Sequence, residues 1–292
     1  MVKHKKNHAK SKAGKPKQPR KGKGTPKHHK QTAQPTSFEK ADTAAPVALT
    51  LPKDVYRLFG RHPIEAALKN PLRDHVALYG TDNALNNLKG LLRDLPDLDV
   101  HQVGADQIEQ MVHSDSPHQG LVLETRRLPG VHMEQACELI EGETNFVLIL
   151  DQVTDPHNIG AILRSSAAFG AKAIITMDRH SPQESGVLAK SASGALDLIP
   201  WVRVGNISTA IEELQQMGYW VVGMDGYADK VLADIDAGQN VALVMGSEGK
   251  GMREGVKKKC DFVAKLPISD RVESLNVSNA AAVALYQLGL SK

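Results

Sequence analysis

Cysteine is nearly absent: 292 residues carry two, Cys137 and Cys260, far apart and in unrelated contexts. A disulfide framework is excluded as the organising device, and a reducing, cytoplasmic setting is the expectation. Aromatics make up 4% of the chain, so a core must be built from Val, Ile, Leu and Ala, for which 41% hydrophobic content suffices. No run reaches the roughly 18 apolar residues that span a bilayer, so no membrane partner is expected. The basic N-terminus is followed by no apolar stretch of the secretory kind.

Acid is also missing where base is dense. Residues 1–30 hold eleven Lys, one Arg and neither Asp nor Glu. The remaining residues hold 24 basic and 33 acidic side chains, so a tail of +12 precedes a body of −9. Residues 1–50, rich in Lys, Pro, Gly, Gln and His without apolar periodicity, are expected to be a disordered tail. Lys contacts to phosphate release counterions, which points to a polyanion partner; a plain solubility tail is the alternative. The tail histidines His4, His8, His28 and His29 lack zinc-ligand spacing, and no metal is expected.

The body divides by pattern into two α/β units. In residues 51–127, Gly60 to Leu68 reads as a helix with Pro63 in its first turn, and Asp82 to Leu95 as a helix with a leucine face. A short helix is expected from Asp106 to His113, and strands at 75–79, 99–103 and 121–125. Residues 128–145 read as a connector. From 146 onward, apolar runs at 146–150, 173–176, 201–204, 220–224, 241–245 and 262–266 alternate with helical patterns at Ile159–Phe169, Ile207–Met217 and Leu275–Leu288. Such alternation with continuously apolar strands predicts a parallel sheet covered on both faces.

Nucleotide fingerprints fail here. Gly160 lacks the G-x-G-x-x-G spacing, and Gly246-Ser-Glu-Gly-Lys-Gly251 has the wrong spacing for a Walker A loop. What remains is three Gly- and Asn-punctuated segments, each following an apolar strand. They are Leu150-Asp-Gln-Val-Thr-Asp-Pro-His-Asn-Ile-Gly-Ala-Ile-Leu-Arg164, Leu243-Val-Met-Gly-Ser-Glu-Gly-Lys-Gly251 and Leu266-Pro-Ile-Ser-Asp-Arg-Val-Glu-Ser-Leu-Asn-Val-Ser-Asn279. Strand ends of α/β proteins are where ligands sit. The chemical groups they offer are Asn158, Arg164, Glu248, Ser274 and Asn276. Read as plain structure, Asn158, Ser274 and Asn276 are helix caps, Glu248 belongs to a turn, and Arg164 is a surface ion-pair partner.

As a set, these segments resemble motifs one, two and three of the SpoU (TrmH-type) RNA ribose methyltransferases of the SPOUT superfamily, over residues 146–290. Phe59-Gly-Arg-His-Pro-Ile-Glu-Ala-Ala-Leu68 and His118-Gln-Gly120 resemble the L30e-like RNA-binding domain of the branch that methylates a guanosine ribose in 23S ribosomal RNA. The resemblance implies a C-terminal trefoil knot, a homodimer through the C-terminal domain and S-adenosylmethionine as methyl donor. It implies a cofactor pocket at Met245, Gly246, Gly249, Leu266, Ile268 and Leu275, and a catalytic set of Arg164, Asn158, Glu248, Ser274 and Asn276. Guanidinium stays protonated, which favours Arg164 as a clamp on the phosphate beside the target ribose; proton abstraction is its rival. Asp270 departs from the usual motif-three glycine. Transfer-RNA ribose methylation and a noncatalytic rRNA-binding role are the competing functions.

Overall fold

In the computed structural model, residues 50–112 and 117–290 are described, and they belong to one compact unit. The tail, its histidines and His113 lie outside the described residues. The elements run β1 (Val55–Phe59), α1 (Arg61–Lys69), β2 (His75–Gly80), α2 (Asp82–Leu92), β3 (Val100–Gln102), α3 (Ala105–Met111), β4 (Leu121–Arg126) and α4 (Met133–Ala136). They continue β5 (Asn145–Leu150), α5 (Pro156–Ala168), β6 (Ala173–Met177), α6 (Gly186–Ala192), β7 (Trp201–Val204), α7 (Ile207–Gln216) and β8 (Trp220–Met224). The last are β9 (Lys230–Val231), β10 (Asn240–Met245), α8 (Glu254–Lys257), β11 (Phe262–Lys265) and α9 (Val277–Leu290).

Two sheets result. The first, ordered β1-β4-β2-β3, is antiparallel except for its β2–β3 edge. The second, ordered β7-β6-β5-β10-β8-β11-β9, is parallel throughout. Side chains alternate across a strand, and β5 shows why its continuous apolar run is needed. Phe146, Leu148 and Leu150 join a core with Ile159, Leu163, Leu188 and Leu285 of α5, α6 and α9. Val147 and Ile149 face the opposite core, with Ile207, Ile211 and Leu214 of α7. Each fully buried Leu or Ile of this kind contributes roughly 1.5–3 kcal/mol.

The first of these cores also takes in Leu58, Leu78 and Leu123 of the small sheet and Ile64 of α1, so the two sheets share apolar packing. α6 is the wedge between them. A Cβ on Gly160 would lie 2.5 Å from the Leu188 carbonyl oxygen, and one on Gly186 would lie 2.4 Å from the Phe59 ring. Only glycine allows α5 and β1 so close to this helix.

A buried ion network joins the same surfaces. Arg73, with no exposed side-chain area, donates to Asp197 and Glu184 at 2.8 Å each and to the Tyr56 hydroxyl. Tyr56 in turn donates to Glu184 at 2.7 Å. Burial disfavours the Arg73 charge, but Tyr56, Asp197 and Glu184 outweigh it, and its pKa sits above the ordinary arginine value.

Several element ends differ from the sequence expectation. α5 starts at Pro156 rather than Ile159, because Asp155 caps it by accepting from the His157 amide at 3.0 Å. α2 stops at Leu92, three residues short of the expected end. α9 starts at Val277, not Leu275, because Asn276 is its cap: Asn276 Oδ1 accepts from the amides of Ser278 and Asn279. Ser274 therefore caps nothing. It is exposed, two residues upstream of the cap.

Candidate active site

Three parallel strands, β8, β10 and β11, end beside one another, and the loops that leave them enclose a cavity of about 460 Å³. Its floor is backbone. After Met245 the chain turns through Gly246 to Gly251, closed by paired backbone hydrogen bonds between Ser247 and Gly251 at 2.9 and 3.1 Å. A Cβ on Gly246 would lie 2.2 Å from the Gly251 carbonyl carbon, so no side chain fits there. Gly249 has φ +78, a backbone conformation that glycine adopts without strain. Leu266, Ile268 and Leu275 form an apolar wall, and Ser274, Glu248 and Val277 complete the rim.

Glu248 anchors the rim. Its Oε1 accepts from Asn158 Nδ2 at 3.2 Å, Asn276 Nδ2 at 2.5 Å and the Val277 amide at 3.2 Å. Asn276 also donates to Asn158 Oδ1 at 3.0 Å. Residues from the three separate segments thus meet on one carboxylate. Hydrogen bonds to an ionised acceptor are the stronger kind, which fixes these side chains relative to one another.

Beneath the rim, Asp151 is fully buried at the end of β5. It accepts from the Arg253 backbone amide and Nε, both at 2.8 Å. That pair ties the far end of the Gly246–Gly251 loop to the neighbouring strand. Arg164 stands apart. It is exposed on α5, is not among the cavity's lining residues, and makes no ion pair among the described residues. Asp270 is likewise exposed and outside the lining.

Comparison with known proteins follows this division of the chain. The SpoU rRNA methylase family profile matches residues 145–286, and that of the RNA 2′-O ribose methyltransferase substrate-binding family matches residues 57–130. The 23S rRNA (guanosine-2′-O-)-methyltransferase RlmB of Coxiella burnetii is 35% identical, over 79% of this chain and 94% of its own length. RlmB of Pseudomonas aeruginosa is 38% identical, over 80% of this chain and 95% of its own. The chain belongs to the SpoU rRNA methylase family. The crystal structure of the SpoU methyltransferase AviRb from Streptomyces viridochromogenes in complex with AdoMet shares the fold. Its TM-score is 0.68 at 22% identity, over 82% of this chain and 90% of that one.

For this SpoU family member, the structure places Met245, Gly246, Glu248, Gly249, Leu266, Ile268, Ser274 and Leu275 around the cavity. It joins Asn158 and Asn276 to them through Glu248 and leaves Arg164 outside. Sequence reading missed the fourth wall, Asp225 to Tyr227 after β8. There Lys257 reaches Asp225 at 2.5 Å. Burial works against ionisation of Asp225, but Lys257 and the Tyr227 amide outweigh it and hold its carboxyl below the usual range. Tyr227 itself is 95% exposed at the cavity mouth. The available signal was positional: an Asp-Gly turn closing a parallel strand beside the two already chosen.

Proposed function

We propose that this chain methylates the 2′-oxygen of a guanosine ribose in 23S ribosomal RNA, with S-adenosylmethionine as donor. The observation that carries this reading is the meeting of Asn158, Glu248 and Asn276 at the rim of a glycine-floored cavity, in a chain that covers 94% and 95% of the length of two RlmB relatives. The cavity suits the cofactor in size and character: about 460 Å³ falls in the range of small-molecule sites. The Gly246–Gly251 backbone and the Leu266, Ile268 and Leu275 wall would hold its adenosine. When bound, the cofactor supplies an electrophilic methyl group on a sulfonium.

The protein's own work is orientation and charge. Asn158, fixed in place by Glu248 and Asn276, holds the acceptor hydroxyl where it would meet the methyl group, converting an encounter into a near-attack arrangement. As the O2′–methyl bond forms, the methyl–sulfur bond would break and the sulfonium leave as a neutral thioether; the hydroxyl proton goes to solvent, and Arg164 clamps the phosphate beside the ribose and offsets the developing negative charge. The acceptor hydroxyl is the group DNA lacks, so RNA selectivity comes with the chemistry.

The same reading includes an L30e-like small domain that presents the RNA, a trefoil knot near the C-terminus and a homodimer through the C-terminal domain. The grip of Glu248 on Asn276 and Val277 holds the start of α9 against the earlier Gly246–Gly251 loop. Val283 and Tyr286, 48% and 55% exposed on an otherwise apolar α9, support the dimer face. The folded small domain with its own sheet favours ribosomal over transfer RNA. A tritiated S-adenosylmethionine assay on unmethylated 23S rRNA and on tRNA transcripts decides. Label in a 23S guanosine ribose supports the reading; label in tRNA alone, or in neither, overturns it.

A further inference from the structure

Between the cavity rim and the small sheet runs a polar seam that the methyl-transfer chemistry leaves unused. α6 carries it, because this helix touches both sheets at once. Ser191 Oγ meets His157 Nδ1 at 3.2 Å, one residue from Asn158. On the adjacent position of α6, Lys190 Nζ donates to Gln119 Oε1 at 3.2 Å. The same oxygen accepts from the Arg61 backbone amide at 3.0 Å, at the start of α1. A continuous line therefore runs from Glu248 through Asn158, His157, Ser191, Lys190 and Gln119 to Arg61.

Lys190 is the cation this line leaves without a counter-charge. It is half-buried, its hydrogen-bond partner is a neutral amide, and no carboxylate forms an ion pair with it among the described residues. An ammonium has three N–H donors, so two have no acceptor among the described residues. Burial already pushes its pKa below the ordinary lysine value. Holding a cation partly out of water without a partner is unfavourable until an anion arrives. Acids on the flanking elements are occupied: Glu65 pairs with Arg61, Asp155 caps α5, and Glu248 holds the two asparagine amides.

The amine lies close against the backbone at Gly60. A Cβ on Gly60 would lie 2.4 Å from Lys190 Nζ, and Gly60 sits at φ +86, a backbone conformation that glycine adopts without strain. Gln119 holds φ +55, a left-handed conformation uncommon outside glycine, in the position that lets its side chain bridge Arg61 and Lys190. His62 and His157 are exposed along the seam.

From this geometry we infer that Lys190 seats a backbone phosphate of the RNA, and so sets how far the strand reaches from the small domain toward Asn158. The inference rests on the RNA-methylating reading above and adds a binding subsite to it. Lys190 binds one phosphodiester and takes no part in methyl transfer.

The test uses the full chain, transcribed 23S rRNA and tritiated S-adenosylmethionine. Lys190→Gln should raise KM for the RNA about five- to tenfold while kcat falls far less. The slope of log KM against log salt should become shallower by about one, as for loss of a single phosphate contact. Lys190→Arg should restore both. Cofactor affinity by calorimetry and the melting temperature should not move. A Lys190→Gln enzyme with unchanged KM and salt slope overturns the inference. So does one whose KM rises only together with lost cofactor affinity and lost thermal stability, since that marks a structural role. If the RNA reading itself is wrong, the unmodified chain binds cofactor yet neither binds nor methylates the transcript, an outcome distinct from either.

Discussion

Asn276 donates to Asn158 across 118 residues of chain, and both amides converge on one oxygen of Glu248. Every polar atom of the Asn276 side chain is engaged: its two N–H groups by this cluster, its oxygen by the first turn of α9. The residue that starts the last helix is thus the residue that locks the rim. Glu248→Ala should remove the common acceptor and free both amides. We expect a loss of about 10²–10³ in kcat/KM, the range seen when one preorganised polar group of an active site is removed. Single-turnover methyl transfer checks this; a loss under threefold would show that the cluster is not needed for reaction.

Arg164 makes a different prediction, because it is exposed and outside the cavity lining. Arg164→Ala should abolish turnover on RNA while cofactor affinity stays within about twofold, since nothing in the cavity changes. Lys at this position should recover little, as an ammonium lacks the guanidinium's bidentate fork. Measuring both variants by calorimetry and by rRNA labelling separates the clamp from a passive surface residue, which would leave turnover intact.

The apolar strands of the large sheet were legible because each is buried on both faces, so the run of Val, Ile and Leu is unbroken. The three segments were legible as motifs, but nothing in their spacing foretold that Asn158, Glu248 and Asn276 share one oxygen. β1 and α6 escaped notice for a physical reason. Gly186 to Ala192 is seven residues, too short to be stable as an isolated helix. It forms because two sheets close over it, a tertiary fact with no local signature. The Arg73 network was invisible for the same reason: its members sit on four separate stretches of chain and carry no motif.

The cysteines supply a pH test. Burial pushes the thiols of both Cys137 and Cys260 up to about 12. A raised thiol pKa means less thiolate, the reactive form, at any pH below it. At pH 8 the thiolate fraction of the folded protein should be on the order of 10⁻⁴, against roughly a quarter for an unperturbed thiol. Iodoacetamide should therefore label the native chain at least about 10³-fold more slowly than the urea-unfolded chain, with the native rate climbing tenfold per pH unit from 8 to 10. Native labelling at the unfolded rate would mean the thiols are not shielded as placed.

Arg73 carries the last prediction. Its guanidinium lies between Glu184 and Asp197, whose side chains are 10% and 1% exposed, and all three are held by further hydrogen bonds. Replacing Arg73 by Met keeps much of the side-chain bulk but leaves two buried carboxylates without their cation. Breaking a buried pair in this way costs about 3–5 kcal/mol, whereas an exposed pair such as Arg61–Glu65 contributes less than about 1 kcal/mol. Urea denaturation should therefore show a large loss for Arg73→Met and almost none for Arg61→Met. Because Arg73 also ties the small sheet to the large one, hydrogen exchange in β1 and α6 should accelerate before that in β5. Equal and small losses for both variants would show that apolar packing alone holds the sheets together.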